Sequence, residues 1–328
     1  METTAAQNDR AAGVLLATAA GDALGAGYEF TYPTDATPID MIGGGLGPFA
    51  PGEWTDDTSM ALAIAEVSAT GVDIGEGAGL DAVAAQFLRW YATNPKDIGN
   101  QTRAVLREAG PTAATMTARA RSLPGRTGGN GSLMRTAPVG LAYLDDAERC
   151  LAAAHAISSL THADEQASEA CRLWSFAIRH AVLHGTFDGV RVALAHLPRP
   201  AAQRWTALLD EAETAPSPRV FDNNGWVVHA LQAAWWAITH ARTDGPGHLP
   251  EALELAVRAG NDTDTVAAIA GGLLGARWGA SAVPERWRRM LHGWPGYRAD
   301  DLERLGLLTA RKGSGEGGVT RPSSGKAG

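Results

Sequence analysis

The 328-residue chain has few cysteines and no long apolar run. These shortages argue against a disulfide-stabilised protein and against a membrane-spanning one. Cys150 and Cys171 are its only cysteines, too few for a disulfide framework and not in metal-binding spacing, so we expect buried thiols in a reducing compartment. The N-terminus lacks a basic region followed by an apolar segment, and no stretch approaches the roughly 18 apolar residues of a membrane span. We therefore expect a cytoplasmic protein that does not bind membranes.

Positive charge and period-two patterning are also scarce. The formal net charge is −8 and there is no long basic run, which argues against nucleic-acid binding. Apolar residues instead recur at helical spacing, as in 60–67 and 266–273, so the sequence predicts an all-α protein. From residue 311 onward the chain is rich in glycine and serine and poor in apolar residues, which predicts one domain over 1–310 and a disordered tail over 311–328.

What the chain does have is two crowded groups of acids and hydroxyls, each at the start of an apolar helix. They lie in GEWTDDTSMALAIAEV (52–67) and NDTDTVAAIAGGLLGA (261–276). Acids in a first helical turn ordinarily cap the helix and oppose its dipole, so two independent caps on opposite sides of the molecule are one explanation. If the two helix starts meet, four carboxylates repel one another unless divalent cations lie between them. Hard oxygen donors suit Mg²⁺ or Mn²⁺.

Two further acids are candidates for proton transfer, each with an ordinary structural alternative. Glu29 ends a stretch of small residues, GDALGAGYE, and is either a base or gate near the acids or a solvent-facing side chain. Asp97 precedes a predicted helix in DIGNQTR and is either a cap or an active-site acid.

A glycine-rich turn, TGGNGSLMRTAPVG (127–140), is a candidate anion site. Glycines expose backbone N–H groups before a helix start and Arg135 lies close by, although an ordinary loop is the simpler interpretation. His162 is either a structural hydrogen-bonding residue or part of such a site. Trp226 follows an Asn-Gly turn, where its ring is either core or a surface on which a base stacks.

Together these stretches resemble the ADP-ribosylglycohydrolase family, the group that includes dinitrogenase reductase-activating glycohydrolase. The matching stretches, in the family's order, are GDALGAGYE (21–29), GEWTDDT (52–58), DIGNQTR (97–103), GNGSLMRTAPVG (129–140), THAD (161–164), GWVVHALQAAWWA (225–237) and NDTDTVAAIAGGLLGA (261–276). The resemblance covers nearly the whole chain before the tail, and the TDDT and DTDT pair is its most diagnostic part.

The resemblance implies a compact, single-domain orthogonal helical bundle with two ions of Mg²⁺ or Mn²⁺ in a cleft. The implied metal ligands are Thr55, Asp56, Asp57, Asp262, Asp264 and Thr265. The implied catalytic residues are Glu29 and Asp97. The implied ADP-ribose-binding residues are Asn130, Gly131, Ser132, Met134, His162 and Trp226. Two positions depart from the family pattern: Trp226 stands where the family usually has Tyr, and His229 where members often have an acid.

The activity implied is metal-assisted hydrolysis of the glycosidic bond at C1″ of the distal ribose of ADP-ribose. An ADP-ribosylated protein modified on arginine is the first expectation for the substrate, and serine-linked or O-acetyl-ADP-ribose is the alternative. A monomer is expected. A non-catalytic ADP-ribose-binding scaffold, or a two-metal hydrolase that acts on nucleotide phosphates, are the competing interpretations.

Overall fold

The computed structural model describes residues 3–312, and regular structure there is almost wholly helical. The α-helices are α1 (Ala5–Gly25), α2 (Asp56–Ala69), α3 (Gly77–Tyr91), α4 (Asn100–Leu106), α5 (Ala113–Arg121), α6 (Ala137–Ala142), α7 (Ala147–Ser159), α8 (Glu165–His184), α9 (Gly189–Val192), α10 (Arg199–Thr214), α11 (Val227–His240), α12 (His248–Val257), α13 (Thr263–Trp278), α14 (Glu285–Met290) and α15 (Ala299–Lys312). A single hairpin, β1 (His292–Gly293) with β2 (Tyr297–Arg298), is the only sheet of this region. The all-α prediction is confirmed.

Helices α1 and α13 form the centre of the fold and touch along their backbones. A Cβ added at Gly21 would lie 2.1 Å from the carbonyl oxygen of Ala267, and one added at Gly271 would lie 2.1 Å from that of Ala17. Only glycine permits so close an approach. At the end of this contact, a Cβ at Gly25 would lie 2.4 Å from Cα of Asp264. The small residues of α1 thereby fix the acidic start of α13 against the end of α1.

Helix α2 has a polar first turn and an apolar body, and nearly all of it is buried. From Asp56 to Ser68 every residue except Glu66 is buried, so the backbone N–H groups at its start need partners inside the protein. Asp22 of α1 supplies them, because its carboxylate accepts hydrogen bonds from the backbone N–H groups of Thr55 (2.9 Å) and Thr58 (3.0 Å). Thr55, the N-cap residue, makes no capping bond with its own side chain.

The remaining predictions concern the two cysteines, the domain boundary and membrane-spanning segments. Cys150 and Cys171 are both buried and unpaired. The predicted domain boundary after residue 310 falls inside α15, and the predicted tail lies, from residue 313 onward, outside the described residues. Across residues 3–312, none of the helices combines the length and apolar character needed to cross a bilayer.

Candidate metal centre and its cleft

A cleft of about 590 Å³ opens over the acidic starts of α2 and α13. Its other walls are the turn that follows α1, the loop that precedes α4 and the glycine-rich turn that precedes α6. The predicted site residues that line it are Glu29, Asp56, Asp57, Asp97, Asn130, Gly131, Met134, His162, Asp262, Asp264 and Thr265. The fold therefore brings together side chains that are up to 236 positions apart in sequence, from Glu29 to Thr265.

The carboxylates form two overlapping groups. One oxygen each from Asp22, Asp57 and Asp264 lie within 4.8 Å of one another, and so do oxygens from Glu29, Asp262 and Asp264. Asp264 belongs to both groups. The explanation of two separate caps on opposite sides of the molecule is excluded, because Thr55 Oγ1 lies 3.5 Å from Asp264 Oδ2.

Neutral donors orient these carboxylates without cancelling their charge. Thr55 Oγ1 donates to Asp57 Oδ2 at 3.1 Å, and Asn130 Nδ2 donates to Asp262 Oδ2 at 2.7 Å. The backbone N–H of Thr265 donates to Asp264 Oδ1 at 2.8 Å. Within residues 3–312 no lysine or arginine forms an ion pair with any carboxylate of the two groups. The negative charge of the centre therefore has no counter-ion from the described protein.

Burial and mutual repulsion make this cluster costly to ionise. Burial, aided by Asp262, raises the pKa of Glu29 to about 8. Burial, aided by Asp97, raises the pKa of Asp56 to about 7, and burial raises that of Asp22 to about 6. Burial first, and neighbouring carboxylates next, hold the pKa values of Asp57 and Asp264 well above their ordinary range.

A divalent cation fits this donor set. Asp57 Oδ1 is fully buried and has no hydrogen-bond partner among residues 3–312, although a carboxylate oxygen buried in this way normally has one. Oxygen atoms only, several of them anionic and none paired with a protein cation, are the ligands that Mg²⁺ and Mn²⁺ prefer. The acidic residues at the starts of α2 and α13 can therefore bind metal.

Glu29 and Asp97 both line the cleft, and hydrogen bonds fix the loops near both of them. Glu29 is half-buried, and its Oε2 accepts a hydrogen bond from the backbone N–H of Leu46 at 3.2 Å. Asp97 is not the cap of α4, since Gly99 occupies that position. The N–H of Gly99 donates to Asp56 Oδ2 at 3.3 Å, which ties the loop of Asp97 to the start of α2. Burial raises the pKa of Asp97.

The glycine-rich turn forms one side of the cleft and is backed by His162. A Cβ at Gly131 would lie 3.0 Å from Cε1 of the His162 ring, and one at Gly129 would lie 3.3 Å from its Nε2. The N–H of Asn130 donates to the carbonyl oxygen of Gly225 at 3.1 Å, which anchors the turn to the segment before α11. The result is a narrow cradle bounded by backbone and one imidazole, a shape that suits an anion.

Three predicted site residues do not line the cleft. Ser132 is buried behind the glycine-rich turn, where its hydroxyl accepts hydrogen bonds from Ser158 Oγ at 2.9 Å and Cys171 Sγ at 3.5 Å. Trp226 lines a neighbouring pocket of about 600 Å³ that shares Gly129 with the cleft, and its Nε1 donates to Gln166. Thr55 is buried and lines a smaller neighbouring pocket of about 280 Å³, which shares Asp56 and Asp97 with the cleft.

Two residues of the centre were not predicted. Asp22 lies in the last turn of α1, and the only sequence signal was a charged residue within a stretch of small residues. Asn224 is buried before α11, and its Oδ1 accepts from the N–H of Asp262 at 3.1 Å and from Asn261 Nδ2 at 3.0 Å. It therefore shapes the loop that carries Asp262, a role with no visible signal in FDNNGW.

The all-α fold places carboxylates that could hold a divalent cation beside a glycine-rich turn, which is the arrangement of a metal-binding protein. The model of the ADP-ribosylglycohydrolase family matches residues 3–317, and the chain belongs to that family. The predictions of the family, of an enzyme and of hydrolase activity on ADP-ribose linkages are confirmed at that level.

Named relatives and a solved structure agree with this family. The chain is 32% identical to ADP-ribosylarginine hydrolase Tri1 of Serratia proteamaculans (strain 568), over 85% of this chain and 74% of that protein. It is 34% identical to ADP-ribosylarginine hydrolase Tri1 of Pseudomonas putida (strain GB-1), over 85% of this chain and 73% of that protein. A solved structure of an ADP-ribosylglycohydrolase-related protein complex superimposes with a TM-score of 0.72 and 30% identity, covering 94% of this chain and 99% of that one.

Proposed function

We propose that this protein removes ADP-ribose from arginine side chains of modified proteins. The observation that carries the proposal is the convergence of two carboxylate groups on Asp264, in a cleft that also holds the anion cradle. The choice of arginine rests on the two relatives named ADP-ribosylarginine hydrolase. Serine-linked or O-acetyl-ADP-ribose is the alternative substrate, and a non-catalytic ADP-ribose-binding scaffold is the alternative role.

The proposed cofactors are two ions of Mg²⁺ or Mn²⁺. The proposed ligands are Thr55, Asp56, Asp57, Asp262, Asp264 and Thr265, to which the geometry adds Asp22 as a neighbouring carboxylate. Two features of the described chain support this assignment: Oδ1 of Asp57 has no hydrogen-bond partner there, and no lysine or arginine there pairs with the carboxylates. When bound, such cations supply Lewis-acid chemistry and lower the pKa of a bound water.

Glu29 and Asp97 have different proposed roles. Glu29 is one of the group with Asp262 and Asp264, so it completes the centre and holds the turn at Leu46 over it. Asp97 lies outside both carboxylate groups, is half-buried and has a raised pKa. We assign to Asp97 the proton that the leaving nitrogen takes up as the bond from C1″ to nitrogen breaks. The attacking water then returns a proton to the same carboxylate as its oxygen bonds to C1″.

Recognition of ADP-ribose falls to the glycine-rich turn. The Asn130 side chain donates to Asp262 and to the carbonyl oxygen of Asn224, so it fixes the turn to the metal centre. Gly131, Met134 and His162 line the same wall. We assign this wall to the diphosphate and the adjoining ribose. Trp226, in the neighbouring pocket, is the proposed stacking surface for adenine.

The proposal is tested by release of ADP-ribose from an arginine-ADP-ribosylated protein in Mg²⁺, in Mn²⁺ and in EDTA. We expect metal-dependent release by the wild type, loss of release in Asp57→Asn with Asp264→Asn, and no phosphate release from nucleotides. Release only from serine-linked or O-acetyl substrates would replace arginine with that linkage. Binding of ADP-ribose without release from any of the three would favour the scaffold.

A further inference from the structure

Arg135 is a buried cation whose direct hydrogen-bond and ring contacts in the described chain are with neutral groups. It follows the glycine-rich turn and is 0% exposed, and it forms no ion pair within residues 3–312. Its guanidinium lies over the Phe87 ring at 4.4 Å, and its Nη2 donates to Thr161 Oγ1 at 2.7 Å and to the carbonyl oxygen of Ile157 at 3.3 Å. Burying an unpaired cation is expensive, so a purely structural role is a poor explanation for it.

The bond from Arg135 decides which way the Thr161 hydroxyl points. A guanidinium only donates, so Thr161 Oγ1 accepts from it. Thr161 is itself fully buried, and within the described chain the one acceptor beside its hydroxyl proton is His162 Nδ1, at 2.8 Å. Thr161 therefore donates to Nδ1, since the opposite arrangement would leave a buried hydroxyl proton without a partner.

With Nδ1 as acceptor, the neutral His162 ring carries its proton on Nε2. This nitrogen points toward the cradle, because Cβ atoms added at Gly129 and Gly131 would lie 3.3 and 3.2 Å from it. No protein group of residues 3–312 forms a hydrogen bond with Nε2, and His162 lines the cleft. Burial and the nearby Arg135 lower the pKa of His162 well below its ordinary range, so the ring stays neutral.

We propose that Arg135 and Thr161 are positioning residues that hold His162 as an Nε2–H donor toward an anionic oxygen of the substrate diphosphate. The choice of diphosphate rests on the proposed function. An anion is the ligand that this place favours, because the cradle combines backbone, an N–H donor and the potential of the buried Arg135 cation. The relay fixes the donor by hydrogen bonding alone, so recognition does not depend on protonating His162.

Thr161→Val tests the relay, since it keeps the shape of the side chain and removes the hydroxyl. In Mg²⁺, we expect the ring of His162 in the wild type to show the Nε2–H tautomer by ¹⁵N NMR of histidine-labelled protein. In Thr161→Val the tautomers should mix, the Kd for ADP-ribose should rise roughly ten-fold, and KM should rise with little change in kcat. Thr161→Ser should restore all three.

Thr206→Val is the matched control, because Thr206 is an exposed threonine of α10 whose hydroxyl donates to the carbonyl oxygen of Ala202 in its own helix. It should change neither the tautomer nor the Kd. An Nδ1–H tautomer in the wild type, or an unchanged Kd in Thr161→Val, would overturn the relay while the proposed function stands. If the wild type does not bind ADP-ribose at all, the relay to a diphosphate and the proposed function both fall.

Discussion

Asp56→Asn should make the metal-free protein more stable at high pH, although it removes a proposed metal ligand. Asp56 ordinarily ionises near 3.8, but burial and Asp97 raise its pKa in the folded state to about 7. Between these values the folded state holds a proton that the unfolded state releases. Ionisation therefore destabilises the fold as the pH rises from about 4, and the full penalty is present above about 7.

The gain in the free energy of unfolding follows from the raised pKa of Asp56. About three pKa units correspond to about 4 kcal/mol, and uptake of a proton by neighbouring carboxylates in the same cluster reduces this to about 2 kcal/mol. Asparagine has no charge to bury and can still accept the N–H of Gly99. For a chain of this length, 2 kcal/mol is about 3 °C in Tm.

Thermal unfolding in EDTA at pH 5 and pH 8 checks this. Relative to the wild type, the variant should gain about 3 °C at pH 8 and much less at pH 5. Mg²⁺ at pH 8 should raise the Tm of the wild type more than that of the variant. Asp145→Asn is the control, because it removes the same charge from an exposed position. An equal gain in the control, or a loss of stability in Asp56→Asn at pH 8, would refute the reasoning.

Three further substitutions probe separate parts of the account. Asp264→Asn removes the carboxylate that both groups share, so kcat/KM for release of ADP-ribose in Mg²⁺ should fall at least about 100-fold; a fall of less than about three-fold would count against a shared ligand. Gly131→Ala places a methyl group 3.0 Å from the His162 ring, so the Kd for ADP-ribose measured by calorimetry should rise roughly ten-fold at nearly constant Tm. Gly271→Ala forces a methyl group to 2.1 Å from the carbonyl oxygen of Ala17, and urea unfolding should show a loss of about 3 kcal/mol; an unchanged midpoint would show that α1 and α13 can separate without cost.

The sequence was sufficient for the fold class and for most acids of the centre, because both leave local patterns. Helical spacing of apolar residues predicted the α-helices, and the two crowded helix starts marked Asp57 and Asp264. The sequence could not show that the starts of α2 and α13 lie side by side, because this depends on how α1 packs against α13. Asp22 was missed for the same reason: its importance comes from the helix start that it caps, 33 residues away at Thr55.

The motif of the glycine-rich turn did not predict which way its side chains point. The motif predicted Ser132 as a ligand-binding residue, yet the direction of a side chain in a 3-10 turn is set by what packs behind it, here Ser158. His162 was predicted as a residue beside the pocket. Its hydrogen-bonded relay through Thr161 to Arg135 was invisible, because a sequence carries no information on which nitrogen of a ring meets which hydroxyl.

The most direct test of the central claim is the number of Mn²⁺ ions that the EDTA-treated protein binds, measured by isothermal titration calorimetry. We expect two Mn²⁺ per chain in the wild type and loss of that binding in Asp264→Asn, because both carboxylate groups contain Asp264. A wild-type protein that binds no Mn²⁺, or binding that Asp264→Asn leaves intact, would contradict it.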